Sequence, residues 1–220
     1  MKILSGTPTE FNKSTNPIQN FYQTDIFIFK IIITFDNIIL FNQLIINLKY
    51  RNIELRKFRK TDAIRLAELA NNQKISRNLR DGFPNPYAKE DADRFIQNCM
   101  KQNPTTIFAI EYNGEYVGNI GLHPAQDVYR KSAEIGFFIG EAYWNKGITS
   151  ISVNLICDYG FKKLDIVRIH AGVFEYNKAS QRVFEKCGFE KEGVFKKSVF
   201  KNEKLWDEIR YSKICLMNEN

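Results

Sequence analysis

The chain has few of the residues that build metal or disulfide sites. Its four cysteines, Cys99, Cys157, Cys187 and Cys215, form no C-x-x-C pair, and only two histidines, His123 and His170, accompany them. That supply argues against a metal site and a disulfide framework, and leaves free thiols of a reducing, cytoplasmic compartment. Clean hydrophobic runs are also missing. The apolar stretch from Ile26 to Phe41 is interrupted by Lys30 and Asp36, well before the roughly 18 residues that a membrane span needs. It starts too far from Met1 for a secretory signal, and no small-residue cleavage site follows. Charge is not one-sided: 32 Lys and Arg face 25 Asp and Glu, a net +7, of which residues 1–50 contribute +1. The basic residues are scattered and no aromatic-basic motif appears, so nucleic acid is not an expected partner. A phosphorylated cofactor is another anion that such a charge favours.

Glycine and alanine are both absent from residues 7–50. Residues 1–24 are polar, rich in Asn, Thr, Ser and Pro, and without periodicity. For residues 26–41 three readings are open: a strand pair covering the domain, an interfacial anchor, or an upstream stretch brought in by a wrongly chosen start codon. The expectation adopted is a poorly ordered or accessory extension over 1–50, no membrane role, and one domain over 51–217.

From Asn52 the pattern is regular. Ile53–Phe58 alternates as a strand, and Thr61-Asp62 stands where a cap belongs before Ile64, Leu66, Ala67, Leu69 and Ala70. Asp81–Tyr87, with its Gly and two Pro, is a loop; Lys89 to about Lys101 has helical spacing. Asn113-Gly114 between the alternating runs 106–112 and 115–122 is a strong hairpin signal. Strands follow at 133–139, 166–174, 194–200 and 205–214, with helices at 147–161 and 179–186. This order predicts an α+β domain on a mixed sheet.

Two segments carry the chemistry. In the first, the strand Ala133–Ile139 runs through Tyr143-Trp144-Asn145-Lys146 to Gly147-Ile148-Thr149-Ser150, where a helix opens. Unpaired N–H groups and the positive dipole end of a helix suit a pyrophosphate. Gly147 allows close backbone approach, Thr149 and Ser150 offer hydroxyls, and Lys146 offers charge. Alone, this loop fits a plain helix start equally well. In the second, a strand ends at Asn177, and Ser180 stands in the first turn of a helix that ends at Gly188. Taken alone, Asn177 and Ser180 read better as helix caps.

Together, and in this order, these segments resemble the GNAT N-acetyltransferases, and within them the RimJ/RimL-like subgroup. The resemblance covers about Asn52 to Leu216. It runs through Leu55–Phe58, Val117-Gly-Asn-Ile-Gly-Leu122, Ala133-Glu-Ile-Gly-Phe137, Tyr143-Trp-Asn-Lys-Gly-Ile148, Asn177–Phe189 and Lys201–Tyr211. It implies a mixed sheet with flanking helices and a V-shaped split between two central parallel strands, splayed by a bulge in the first. It also implies acetyl-CoA as cosubstrate and no metal. The backbone of Phe137, Phe138 and Ile139 would pair with pantetheine, and the loop Trp144–Ser150 would hold the diphosphate. Thr149 stands where the family usually has Gly or Ala.

The activity implied is acetyl transfer to a primary amine, on a small molecule or a protein N-terminus, by direct attack on the thioester. A non-catalytic acyl-CoA sensor with the same fold is the alternative, and a homodimer is an open arrangement. The amine needs a base, and Glu134 is the strand carboxylate at the family position, acting through water; a carboxylate paired with backbone or an arginine is the other reading. His123 could assist. The family's tyrosine acid falls on Phe184, which has no proton to give, so the resemblance moves that role to Ser180, with Asn177 on pantetheine. Acceptor entry is expected at the loop containing Asp81 and Tyr87 and near Trp206–Glu208. That loop has one Asp and no acidic cluster, which ranks polyamines low.

Overall fold

A computed structural model describes residues 48–215. The expectations for residues 1–47, including the apolar stretch 26–41, lie outside the described residues. The elements in chain order are β1 (Lys49–Tyr50), β2 (Ile53–Arg56), α1 (Asp62–Ala70), α2 (Gln73–Ser76), α3 (Lys89–Met100), β3 (Ile107–Tyr112), β4 (Glu115–Pro124), β5 (Ser132–Ile139), α4 (Ile148–Lys163), β6 (Arg168–Phe174), α5 (Lys178–Lys186), β7 (Glu190–Lys201) and β8 (Lys204–Ile214). One mixed sheet holds all the strands in the order β1-β2-β3-β4-β5-β6-β8-β7. Among the described strands only β5 and β6 run parallel. The fold is therefore the expected α+β mixed sheet with flanking helices.

Period-2 alternation gives the sheet two apolar faces, and each collects its own helices. On one face α4 buries Ile148, Ser152, Val153, Ile156, Cys157 and Gly160, the i, i+4 pattern of a single stripe. Gly160 sits so close that a Cβ there would lie 2.6 Å from Leu122 Cδ1. Phe184 of α5 joins the same core, which continues through Ile120, Leu122, Ile135 and Ile169. On the other face Leu66, Ala70, Ala92 and Ile96 of α1 and α3 pack with Tyr116 and Phe138. Among the described residues no helix is long and apolar enough to cross a membrane.

Three local details differ from the sequence reading. Thr61 makes no side-chain cap. Asp62 accepts from the Arg59 N–H at 2.8 Å and takes the guanidinium fork of Arg56 at 2.8 and 2.9 Å. The bulge expected in β5 is absent there, since β4 and β5 keep one register from Pro124↔Ala133 to Gly118↔Ile139. It falls in β4 instead, where Glu111↔Tyr116 and Ile110↔Gly118 leave Val117 as the extra residue. Strand β1 and helix α2 are also new, because two and four residues are too few to show a period.

Candidate active site

β5 and β6 pair at only three positions, Ser132↔Arg168, Ala133↔Ile169 and Glu134↔His170. Beyond Glu134 both strands continue, β5 paired to β4 as far as Ile139 and β6 paired to β8 as far as Phe174. The sheet thus divides into a V whose apex is Glu134 and His170. Backbone alternation tells which groups face the gap. The Gly140 N–H donates to Val117 on the β4 side at 2.9 Å, which assigns Phe138 to the β4 ladder and turns Phe137 and Ile139 toward the gap. Of these, the Ile139 carbonyl is already taken by the Trp144 indole N–H at 2.9 Å. On the opposite strand the Cys215 N–H donates to Val167 at 2.8 Å, so Gly172 and Phe174 face the gap by the same alternation.

The gap leads into the loop before α4. Asn145 and Gly147 both adopt positive φ, 60° and 76°, and Gly147 is the left-handed N-cap with no side chain bonding the helix start. The first N–H groups of α4 are therefore uncapped by side chains. Asn145, Gly147, Ile148, Thr149 and Ser150 line a cavity of about 1340 Å³, larger than the roughly 300–1,000 Å³ typical of a small-molecule pocket. Lys146 is not among its lining residues; its ammonium lies 5.4 Å from the centroid of the Tyr143 ring. At α5, Asn177 Oδ1 accepts from the Ser180 N–H at 3.2 Å, so it is a helix cap, with its amide nitrogen left over. Ser180 lines the cavity. Phe184 does not stand free in it: it is 3% exposed and stacks among Phe137, Phe189 and Tyr211.

Across the face that carries α1 to α3, cross-strand register sets the side chains in rows. The apex row is His123, Glu134, His170 and Ser212 on β4, β5, β6 and β8. Glu134 accepts a hydrogen bond from Arg80, the arginine pairing that the sequence left open. Burial holds the His170 imidazole below its ordinary pKa, against the pull of Glu134, which favours the charged form. Next to it Gly121 pairs with Gly136 on β4 and β5, and on β6, past the last β5–β6 pair, Gly172 follows two residues after His170. Arg80, Gly82, Phe83 and Tyr87 also line the cavity. Burial raises the Tyr87 hydroxyl to about 12. Asp81 is outside the lining; its carboxylate takes the buried Lys201 ammonium at 2.6 Å and ties the loop to the β7–β8 hairpin. Tyr176 makes a second tie, donating to the Arg77 carbonyl at 2.6 Å.

Sequence reasoning did not assign Arg80, Gly136, His170 or Gly172 to the site. The glycines carried a signal: they interrupt two otherwise apolar alternating strands where a side chain would normally stand.

A sheet split at its parallel pair, with an uncapped helix start beside the gap, sets free backbone groups next to an anion site. The family of the acetyltransferase (GNAT) domain matches residues 52–190. A relative described as an uncharacterized N-acetyltransferase, YoaA of Bacillus subtilis (strain 168), is 33% identical over 163 residues, covering 72% of this chain and 90% of its own. The spermidine N(1)-acetyltransferase of Escherichia coli (strain K12) is 27% identical over 140 residues, 63% of this chain and 73% of its own. Among solved structures, the microcin C7 self-immunity acetyltransferase MccE, in complex with acetyl-CoA and AMP, superposes with a TM-score of 0.65 at 29% identity, covering 76% of this chain and 94% of its own. The chain belongs to the GNAT acetyltransferase family.

Proposed function

We propose that the protein transfers the acetyl group of acetyl-CoA to a primary amine, in the manner of the RimJ/RimL-like subgroup and inside the cytoplasm. The observation that carries the reading is the end of β5–β6 pairing at Glu134↔His170, which frees backbone groups of Phe137 and Ile139 beside the start of α4. Those groups fit the amides of a pantetheine arm. The N–H groups from Gly147 to Ser150 fit a diphosphate, which gains from the helix dipole. Acetyl-CoA bound to MccE, a relative of the same fold, supports the choice of donor.

In this reading the neutral amine attacks the thioester carbon. Its proton passes to Glu134 through water, with His123, the cross-strand neighbour, assisting. A backbone N–H facing the gap stabilises the oxyanion. The carbon–sulfur bond then breaks, and the thiolate takes a proton from Ser180, whose hydroxyl has no hydrogen-bond partner among the described residues, or from solvent. Asn177 offers its amide nitrogen to pantetheine. The acceptor is a small-molecule amine or a protein N-terminus. A polyamine fits less well, because the loop Asp81–Tyr87 brings one carboxylate and no acidic cluster.

The test is thiol release from acetyl-CoA over a panel of amines and N-terminal peptides. Wild type turns over at least one of them. Glu134→Gln loses about 10²-fold or more in kcat, while acetyl-CoA still raises the melting temperature. Ser180→Ala slows the chemical step; unchanged turnover under chemistry-limited conditions removes that assignment. Stabilisation by acetyl-CoA without turnover of any amine would instead favour a non-catalytic sensor.

A further inference from the structure

One carboxylate in the cavity is left over by the mechanism. Glu208 lies on β8, is 8% exposed, and lines the cavity. Its Oε2 is held by Arg210, whose Nε and Nη2 both approach at 2.7 Å. Its Oε1 has no hydrogen-bond or ion-pair partner among the described residues. Instead it hangs over Gly172: a Cβ at that position would lie 2.0 Å from Oε1. The glycine is thus the cradle that lets a charged side chain lie along β6 at the edge of the split. Beside it, Gly136 is open, with no atom nearer to a Cβ than His123 Nε2 at 3.8 Å. The free oxygen of this largely buried carboxylate thus opens to the cavity, over bare backbone, where a donor can meet it. Burial also strengthens any charge-assisted hydrogen bond it accepts.

We propose that Glu208 is the seat of the acceptor's ammonium group: its Oε1 accepts an N–H of the incoming primary ammonium over Gly172, before that nitrogen gives its first proton to solvent and attacks as the neutral amine. This rests on the acetyltransferase reading and adds the acceptor class to it, a single ammonium end. Arg210 is the positioning residue that fixes the Glu208 rotamer, and Gly172 supplies the space.

The test compares wild type, Glu208→Gln and Gly172→Ala. Gln keeps the shape and an acceptor for Arg210 but removes the charge. Ala at 172 keeps the charge but displaces it, and only the far end of a flexible side chain has to move, so the fold survives. Two mono-ammonium probes, n-butylamine and a Ser-Ala-Ala peptide amide, are titrated calorimetrically into the CoA-saturated proteins, and the amine found active in the panel is assayed for turnover. Expected are about tenfold or larger rises in probe Kd and acceptor KM for both variants, with the KM for acetyl-CoA and the melting temperature near wild type. A merely structural Glu208 would move those last two and leave acceptor KM alone, which overturns the proposal, as does failure of wild type to bind either probe. If wild type transfers acetyl to an amine while Glu208→Gln keeps its acceptor KM, the seat is wrong and the enzyme reading stands. If no amine is acetylated but probe binding still depends on Glu208, the seat stands and the enzyme reading fails.

Discussion

Asp62→Ala should be strongly destabilising, and its cost can be worked from the contacts. The Arg56–Asp62 fork is nearly dry, with side chains 9% and 6% exposed. Burial alone would lower the Arg56 pKa; the hydrogen bonds it donates to Asp62 and Glu111 outweigh that and raise it. Removing one partner of a buried pair typically costs about 3–5 kcal/mol, because the other charge stays behind. Here Glu111 still touches Arg56 Nε, which reduces that to about 2–3 kcal/mol. Loss of the Arg59 N–H acceptor at the start of α1 adds about 1 kcal/mol. The sum, about 3–4 kcal/mol, corresponds to a melting temperature lower by about 6–16 °C for a domain of this size. Urea unfolding followed by circular dichroism reads it as a lower midpoint at unchanged slope. Asp62→Asn, which keeps the shape without the charge, should fall between. A loss under about 1 kcal/mol would mean that the pair behaves like an exposed surface bridge, and the argument would be refuted.

Three further outcomes are expected. Gly147→Ala meets no atom but forces an L-residue to φ 76°; stability should drop by about 1 kcal/mol and acetyl-CoA affinity should weaken, and wild-type values for both by thermal shift would contradict the role given to that turn. His170 has its folded pKa pushed below 6.5 by burial. The unfolded chain therefore binds the extra proton first: stability is full above about 6.5 and is lost as the pH falls through the folded value. His170→Gln should flatten that limb of a pH series of urea midpoints. Glu192, held near 2 by hydrogen bonds from Arg168 and Ser212, contributes stability that is full above about 4.5 and is lost as the pH falls from there through about 2. Burial raises the thiols of Cys99 and Cys157 to about 12, so Ellman's reagent should reach the half-exposed Cys215 first and these two only on unfolding; four equivalents released at once from native protein would be wrong.

The order of strands and helices was legible because it rests on periods that local sequence carries. The hairpin at Asn113-Gly114 is the clearest instance, with φ of 53° and 84° at the two residues that the dipeptide suits. The parallel pairing of 133–139 with 166–174 followed from the family resemblance rather than from any period. What sequence could not carry is what depends on cross-strand partners. The bulge belongs to β4 because Val117 has no partner on β3, a fact about two strands at once. Asp81 read as a loop carboxylate open to an acceptor, yet Lys201, 120 residues away, occupies it. The unpaired oxygen of Glu208 depends on a glycine on another strand, which neither local segment announces.

The split itself is an energetic compromise with a structural reason. Leaving a strand's inner edge unpaired costs about 1–3 kcal/mol for each backbone group that water cannot reach. Here the outer edges are fully laddered, β5 to β4 and β6 to β8, so each half of the sheet is stable without the other beyond Glu134 and His170. The inner edges can then stay open to solvent until a chain of amides replaces the missing strand, which is the same hydrogen-bond exchange that adds a strand to a sheet edge. Side-chain size follows the same division. On the face of α4 the strands carry bulky core residues up to the gap, while on the opposite face Gly136 and Gly172 stand on its two sides. If the donor takes up the freed backbone and the acceptor stands over the glycines, one interruption of a ladder brings the two substrates together, with Glu134 at its apex.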